Sequence, residues 1–537
     1  MSEPPSSVSS ARNAGWVGLG IFLSRVAGLV RERVFAHYFG DLAAADAFRA
    51  AARIPNLLQN LLGEGVLSAS FIPVYARLRA EGREKTASQV ASVVAALLAV
   101  LVSVLVALGA LAAPWLVALL APGFEGEKRE ATVVLVRILF PGIGLLVLSA
   151  WCLGVQNSHR RFFLSYAAPI LWNLAQIGVL LVGGARVRGY PLAEWLAWGA
   201  VLGSLLQFGV QLPLVLRLLG AFRPAFALVR EHVREVTRTL GPVVLGRGVV
   251  QLSAYVDSVL ASWLPNGAMA ALGYAQILYT LPISLFGMAV SAAELPEMSS
   301  VVGSTDEVHG ALRHRLAAGL GRIAFFVVPS SVAFLLLGDV LSALLFQTGR
   351  FSHDDAVYVW TILGGSAVGL LAVTFGRLYA SVYYALRDTR TPLRFALVRL
   401  ALTATLGWIA ALELPGWLGI RAAWGAAGLT ASAGVAGWIE FLLLRRTLHA
   451  RLGKVALASS PFGKLWLAAG LGAAAAWSMR WALSGGLLDH PVWSGLVILP
   501  LYGLVYLAAT WLFGVATARE LGATLVRRVG WGERRPG

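Results

Sequence analysis

The sequence predicts an all-α polytopic membrane protein of about fourteen transmembrane helices, arranged as two pseudo-symmetric six-helix lobes plus two C-terminal helices. Three observations carry that prediction. First, 58% of the 537 residues are hydrophobic and 13% charged, with a mean hydropathy of +0.73, whereas a soluble domain carries about 25% charged residues. Second, cutting the chain at charged or Gly/Pro-rich breaks leaves stretches of about 20 apolar residues, the length a spanning helix needs. Third, motifs recur along the chain at a spacing of roughly 223–230 residues.

The charge balance is basic, with 44 Lys and Arg against 27 Asp and Glu, a formal net charge of +17. The basic residues fall mostly in short loops between apolar spans, which is the positive-inside pattern rather than a nucleic-acid footprint. Cys152 is the single cysteine, so no intramolecular disulfide can form. A soluble enzyme, a DNA-binding protein and a disulfide-stapled secreted module are excluded.

Taken in order, residues 1–13 are a polar cytoplasmic tail without the charged, apolar and small-residue regions of a secretory signal, so no processing is expected. Residues 14–220 hold spans one to six, centred near Ala27, Leu57, Val104, Leu145, Ile177 and Leu205. Residues 221–240, with Arg230, Glu231, Arg234, Glu235 and Arg238, read as an amphipathic surface helix linking the lobes. Spans seven to twelve occupy 241–450, spans thirteen and fourteen 451–517, and a basic cytoplasmic tail 518–537. Loop charges such as Arg77, Arg79, Arg83 and Lys85, then Arg160 and Arg161, then Arg387, Arg390 and Arg394, put both termini on the cytoplasmic side. The repeat rests on three pairs: Ala121-Pro122-Gly123-Phe124 with Leu345 to Phe351, Ser70 to Pro73 with Ala293 to Pro296, and Gln156 to Arg161 with Leu386 to Arg390. Six spans per copy is an even number, so both copies share one orientation.

Several charges lie where a membrane penalises them. Span one contains Arg25, Arg31, Glu32 and Arg33, and span two contains Asp46, Arg49, Arg53 and Glu64. An Arg or Asp at mid-bilayer costs about 2.5–3.5 kcal/mol, so these side chains should face protein or a wet cavity. Asp46, Arg49, Arg53, Asn56, Asn60 and Glu64 step by three or four residues and share one helical stripe, opposite an apolar face of Ala47, Ile54, Leu58, Leu61 and Leu62. That reads as a wet side and a lipid side. Gly28 permits a local break turning Arg25 and Arg31 inward, while snorkelling to the interface is the plain alternative for Arg31 and Arg33. In the second half, Arg247, Gln251 and Asp257 lie in span seven, Glu294 and Glu297 flank Pro296, and Arg377 is either a cavity residue or a helix-neighbour pair.

The expected cavity is cationic with a minority of carboxylates. Guanidinium forks grip phosphate oxygens bidentately, so the ligand should be anionic, phosphorylated and large. There is no G-x-x-x-x-G-K-[ST] loop, so ATP is not expected as a substrate. The eight histidines are scattered without ligand spacing, so no metal and no cofactor is expected. An enzymatic role is not expected either.

Ser24-Arg25-Val26-Ala27-Gly28-Leu29-Val30-Arg31-Glu32, Ala45-Asp46-Ala47-Phe48, Arg53-Ile54-Pro55-Asn56-Leu57-Leu58, Gly63-Glu64-Gly65 and Phe71-Ile72-Pro73-Val74 resemble the start of the MurJ (MviN) family. The likeness continues through Ala121 to Phe124, Gly241-Pro242, Leu345-Phe346-Gln347 and Thr391-Pro392, covering roughly residues 14 to 460. The resemblance implies a lipid II flippase of the MOP exporter superfamily in the bacterial inner membrane, active in peptidoglycan biosynthesis and hence cell shape. It implies alternating access between lobes, a lobe cavity for the diphosphate, sugars and peptide, and a lipid-tail groove formed by the last two spans. Its partners would be lipid II, membrane lipids and cell-wall synthesis proteins. Family transport arginines match Arg25 and Arg31, and a family aspartate matches Asp46. Two family arginines are absent, falling at Gln59 and Ile277, so Arg53 and Arg247, with Arg49, are expected to restore the positive field. The expected substrate-binding set is thus Arg25, Arg31, Arg53, Asn56 and Arg247. The expected charge-pairing or ion-sensing set is Glu32, Asp46, Glu64 and Asp257. A flippase for another undecaprenyl-linked glycan, a small-molecule exporter and a non-transporting cell-wall scaffold are the alternatives.

Overall fold

The computed structural model describes residues 7–40, 42–220, 222, 226–301, 303–455, 459–482 and 490–521. In chain order its α-helices are α1 (Ser7–Phe39), α2 (Ala43–Leu62), α3 (Glu64–Ser70), α4 (Ile72–Ala80), α5 (Glu84–Leu111), α6 (Ala113–Leu120) and α7 (Gly126–Ser158). There follow α8 (Phe162–Ala167), α9 (Pro169–Gly183), α10 (Tyr190–Leu219), α11 (Phe226–Ser262), α12 (Ala268–Pro282), α13 (Ala289–Ser299) and α14 (Thr305–Leu336). The chain closes with α15 (Gly338–Phe346), α16 (His353–Ala385), α17 (Arg390–Trp408), α18 (Leu414–Leu418), α19 (Gly425–Leu452), α20 (Ser459–Ala482) and α21 (Pro491–Leu512). No β-sheet occurs among the described residues; their regular structure is helical apart from a single bridge pairing at Thr348 and Phe351. Eleven of the described helical segments are long and apolar enough to cross a membrane. The protein is an all-α, multi-pass membrane protein.

Two compact units divide the chain, one formed by residues 1–270 with 348–350, the other by 271–347 with 351–537. Within the first, a core of Leu67, Phe71, Tyr75, Leu78, Val90, Val94, Val147, Trp151, Cys152 and Val155 joins α3, α4, α5 and α7. A buried polar chain runs beside it. Gln156 donates to Gln211 Oε1 at 3.1 Å, and Gln211 donates to Ser149 Oγ at 2.6 Å. Side-chain amides bonded across helices in this way satisfy each other where no water reaches them.

The second unit is built around α16, which packs against α14 and α19. Gly369 makes the α16–α19 crossing possible, since a Cβ there would lie 2.4 Å from the Cα of Gly434. Small residues at such crossings let helix backbones approach closely. Pro329 inside α14 has no N–H to offer the carbonyl of Phe325 one turn earlier. The hydroxyl of Tyr506 on α21 takes that role at 2.5 Å, and Tyr502 donates to the Pro329 carbonyl at 2.7 Å. Trp477 and Arg480 on α20 add bonds to Leu336 O at 3.0 Å and Asp339 at 2.6 Å. The last two helices are therefore fastened to the C-terminal part of α14 and to α15.

The internal repeat read from the sequence has a counterpart in element lengths. Helices α7 and α16 both contain 33 residues and begin at Gly126 and at His353, 227 positions later. Each ends in the same cap, with an arginine where glycine is usual: Arg160 at φ 56° and Arg387 at φ 59°. The bonds match as well, Arg160 N to Asn157 O and Arg161 N to Gln156 O in one, Arg387 N to Tyr384 O and Asp388 N to Tyr383 O in the other.

Local expectations are corrected in four places. Helix α1 runs unbroken from Ser7 to Phe39, so Gly28 makes no break; a Cβ there would meet only Asn173 Oδ1, at 3.8 Å. The polar stripe of α2 does not reach Glu64, because α2 stops at Leu62 and Gly63 is extended at φ −80°, ψ −156°. Gly63 is needed there, since its Cβ would lie 2.2 Å from the Gln59 carbonyl oxygen. The apolar face of α2 is not a lipid face: Ala47, Ile54 and Leu62 are at most 5% exposed, turned into the bundle where α2 packs on α7. Finally, the expected linker at 221–240 is no separate element, since from Phe226 it continues to Ser262 as one 37-residue helix that packs with the first unit.

Candidate functional site

The first unit contains a cavity of about 150 Å³ lined by residues of α1, α2, α7, α9 and α10. Its charged wall comes from two helices. Arg31 and Glu32 are consecutive on α1, and Arg49 lies on α2. Glu32 is buried and binds both cations, Arg31 Nη2 at 2.5 Å and the guanidinium of Arg49 through both of its terminal nitrogens. Each arginine also lies against an aromatic face, Arg31 over Trp172 and Arg49 over Phe35, both 4.6 Å from the ring centroid. Two cations share one carboxylate, which leaves the wall with one net positive charge. In a low-dielectric site that excess acts far more strongly than it would in water. Asn56, Gln176 and Ser204 supply neutral hydrogen-bonding groups, and Leu139, Ile143, Leu180 and Leu196 complete the lining.

The predicted residues divide among several places. Arg31, Glu32 and Asn56 meet in the cavity. Arg25, two turns earlier on α1, is exposed and is not part of the lining. Arg53 points elsewhere: its guanidinium donates to Ser258 Oγ on α11, Tyr255 donates to its carbonyl at 2.9 Å, and Asp257 is the carboxylate acting on it. Asp46 is 1% exposed and fully engaged, accepting from Lys128 Nζ at 2.7 Å and from the backbone N–H groups of Gly267 and Ala270 at 2.8 Å each. Lys128, in the first turn of α7, thus belongs to this cluster and also bonds Asn266 at 2.9 Å. Glu64 is exposed at the first turn of α3. The side chain of Arg247 lies outside the described residues. Gln59 and Ile277, where family arginines are missing, are both half-buried.

Arg49 is the cavity residue that the expected binding set omits. Its signal was present in the stripe of α2, three residues after Asp46 and four before Arg53, but only the long-range bond to Glu32 distinguishes its role. Glu294 and Glu297 also find partners, Arg322 at 2.9 Å and Arg315 at 2.8 Å, on the neighbouring α14.

The family model described as "Lipid II flippase MurJ" matches residues 35–495. The chain belongs to the MurJ family. Within it, the lipid II flippase MurJ of Burkholderia cenocepacia is 31% identical over 438 residues, covering 80% of this chain and 82% of that one. A probable lipid II flippase MurJ of Thermotoga maritima is 28% identical over 464 residues, covering 86% and 91%. Among solved structures, a lipid II flippase MurJ in an inward closed conformation superposes with a TM-score of 0.75 at 23% identity, over 94% of this chain and 99% of that one. An inward-facing multidrug transporter of the MATE family in the MOP superfamily superposes with a TM-score of 0.60 at 18% identity, over 81% and 96%. These two superpositions concern the fold alone. MurJ membership makes the protein a membrane transporter of a lipid-linked substrate rather than an enzyme.

Proposed function

We propose that this MurJ-family protein flips lipid II, the undecaprenyl-diphosphate-linked peptidoglycan precursor, from the inner to the outer leaflet of the cytoplasmic membrane by alternating access. The observation carrying this reading is the pair Arg31 and Arg49 on the single carboxylate Glu32, in a cavity with aromatic and amide walls. Guanidinium groups suit a diphosphate, whose oxygens they can engage two at a time. Pockets for drug-sized ligands measure about 300–1,000 Å³, so this cavity of about 150 Å³ suits one group of a large amphiphile rather than the whole. The diphosphate is that group. Arg49 supplies the cation whose family counterparts are missing at Gln59 and Ile277, while Arg25, Arg53 and Arg247 contribute along the route.

The proposed frame is fourteen crossings in two six-helix lobes plus two C-terminal helices, with both termini cytoplasmic. Asp46, Glu64 and Asp257 pair with cations rather than bind substrate. The driving force is the membrane potential or an ion gradient, one charge being worth about 2.3 kcal/mol per 100 mV.

The test is rescue of a MurJ-depleted bacterium, with surface-exposed lipid II quantified at matched expression. Wild type should rescue, and Arg31→Ala and Arg49→Ala should not. Rescue that survives both substitutions would remove the cavity from the mechanism. Failure of correctly inserted wild type would favour a different undecaprenyl-linked glycan as cargo.

A further inference from the structure

Glu32 is the single carboxylate in the wall of the first unit's cavity, among the described residues. It is 6% exposed. Arg31 of its own helix meets it at 2.5 Å, and Arg49 of α2 meets it through both terminal nitrogens of the guanidinium. No other charged group lines the cavity. The wall that α7, α9 and α10 supply holds apolar side chains, Trp172, Gln176 and Ser204, none of which titrates near neutral pH. The two arginine side chains remain 19% and 20% exposed, so a ligand can reach them.

Glu32 therefore occupies the seat an oxyanion would take. Arg49 presents to it the two-nitrogen edge that grips a carboxylate or a phosphate bidentately. An aromatic ring already covers one face of each cation. A diphosphate entering this cavity competes with Glu32 for the same donors. Once the donors pass to the diphosphate, an ionised Glu32 would be left buried without a partner. A carboxyl group escapes that state by neutralising.

We propose that Glu32 is an internal stand-in for the diphosphate, and that ligand binding at Arg31 and Arg49 is coupled to protonation of Glu32. The inference rests on reading this cavity as the diphosphate seat. On binding, the carboxylate takes one proton from solvent and becomes a neutral carboxyl, while both guanidinium groups turn to the ligand. On release, Glu32 returns the proton and closes on both arginines again, so the empty seat never holds two uncompensated cations. Affinity then rises as pH falls, by up to about tenfold per pH unit where the free site is ionised.

The test is isothermal titration calorimetry of the full-length protein in detergent. The probe is undecaprenyl-diphosphate-linked N-acetylglucosamine, a diphosphate diester with no group of its own that titrates near neutral pH. Runs at one pH in two buffers of different ionisation enthalpy count the protons taken up. Wild type should take up about one proton per molecule bound, and Glu32→Gln should take up none. Glu32→Asp, which keeps the acid, should retain the uptake. If neither variant folds, wild type alone still overturns the coupling by taking up no proton. Arg31→Gln and Arg49→Gln report on the seat itself. Should they weaken binding while wild type takes up no proton, the coupling falls and the diphosphate seat stands. Uptake that persists in Glu32→Gln also overturns the coupling. Binding unchanged in both arginine variants removes the seat, and the coupling with it.

Discussion

Glu32 on the first helix holds Arg49 on the second, and through its other oxygen holds Arg31, its own neighbour in sequence. One carboxylate thus sets the positions of two guanidinium groups that stack on Trp172 and Phe35. The geometry makes Glu32 a positioning residue: remove its charge and both cations lose their anchor.

Glu32→Gln should therefore lower stability by about 3 kcal/mol, the range for breaking a buried pair from one side. Glu32→Gln combined with Arg49→Gln should recover part of that loss, because the double variant buries one uncompensated charge fewer. Thermal unfolding of the purified protein checks this, and simple additivity of the two single variants would count against coupling.

Tyr506→Phe should cost about 1–3 kcal/mol, since it strands the Phe325 carbonyl that Pro329 cannot serve. In a Pro329→Ala background the helix regains its own N–H donor, so the same Tyr506→Phe change should become nearly neutral. Unfolding measurements on the four-member cycle decide it. Equal costs in both backgrounds would show that the hydroxyl does not replace the missing backbone bond.

His159, just beyond α7, is half-buried beneath Tyr75, whose hydroxyl lies 2.8 Å from Nε2. Burial first, then the charge of Arg79, lowers its pKa from 6.5 to about 4. The folded state then binds fewer protons than the unfolded state between those values, so stability rises with pH across that window. It should be flat above pH 7 and fall as the pH drops from about 6.5 toward 4, by on the order of 1 kcal/mol once solvent screening is allowed for. His159→Gln should remove that component from a pH series of melting curves.

Much of the helical frame was legible because apolar length and loop charge are local properties. The echo between two turns was legible too, since Arg160 and Arg387 take the same left-handed cap conformation. Pairing was not. The i, i+3 and i, i+4 spacing put Asp46, Arg49 and Arg53 on one stripe, yet their partners Lys128, Glu32 and Ser258 lie on three different helices. Spacing along one helix cannot reveal which neighbour it meets. The end of α2 escaped notice for a related reason: Gly63 turns extended, in a conformation where a Cβ would strike the Gln59 carbonyl oxygen, and no periodicity reports that.

Cys152 lies at 0% exposure within the first unit's core, and no other thiol exists in the chain. Thiol reagents attack accessible thiolates, so the native protein is already silent toward them. A cysteine introduced at Asn56, in the cavity wall, would be the sole accessible thiol, without any prior engineering of the background. Membrane-impermeant labels applied from either face would then read, position by position, which surfaces water reaches as the transporter cycles.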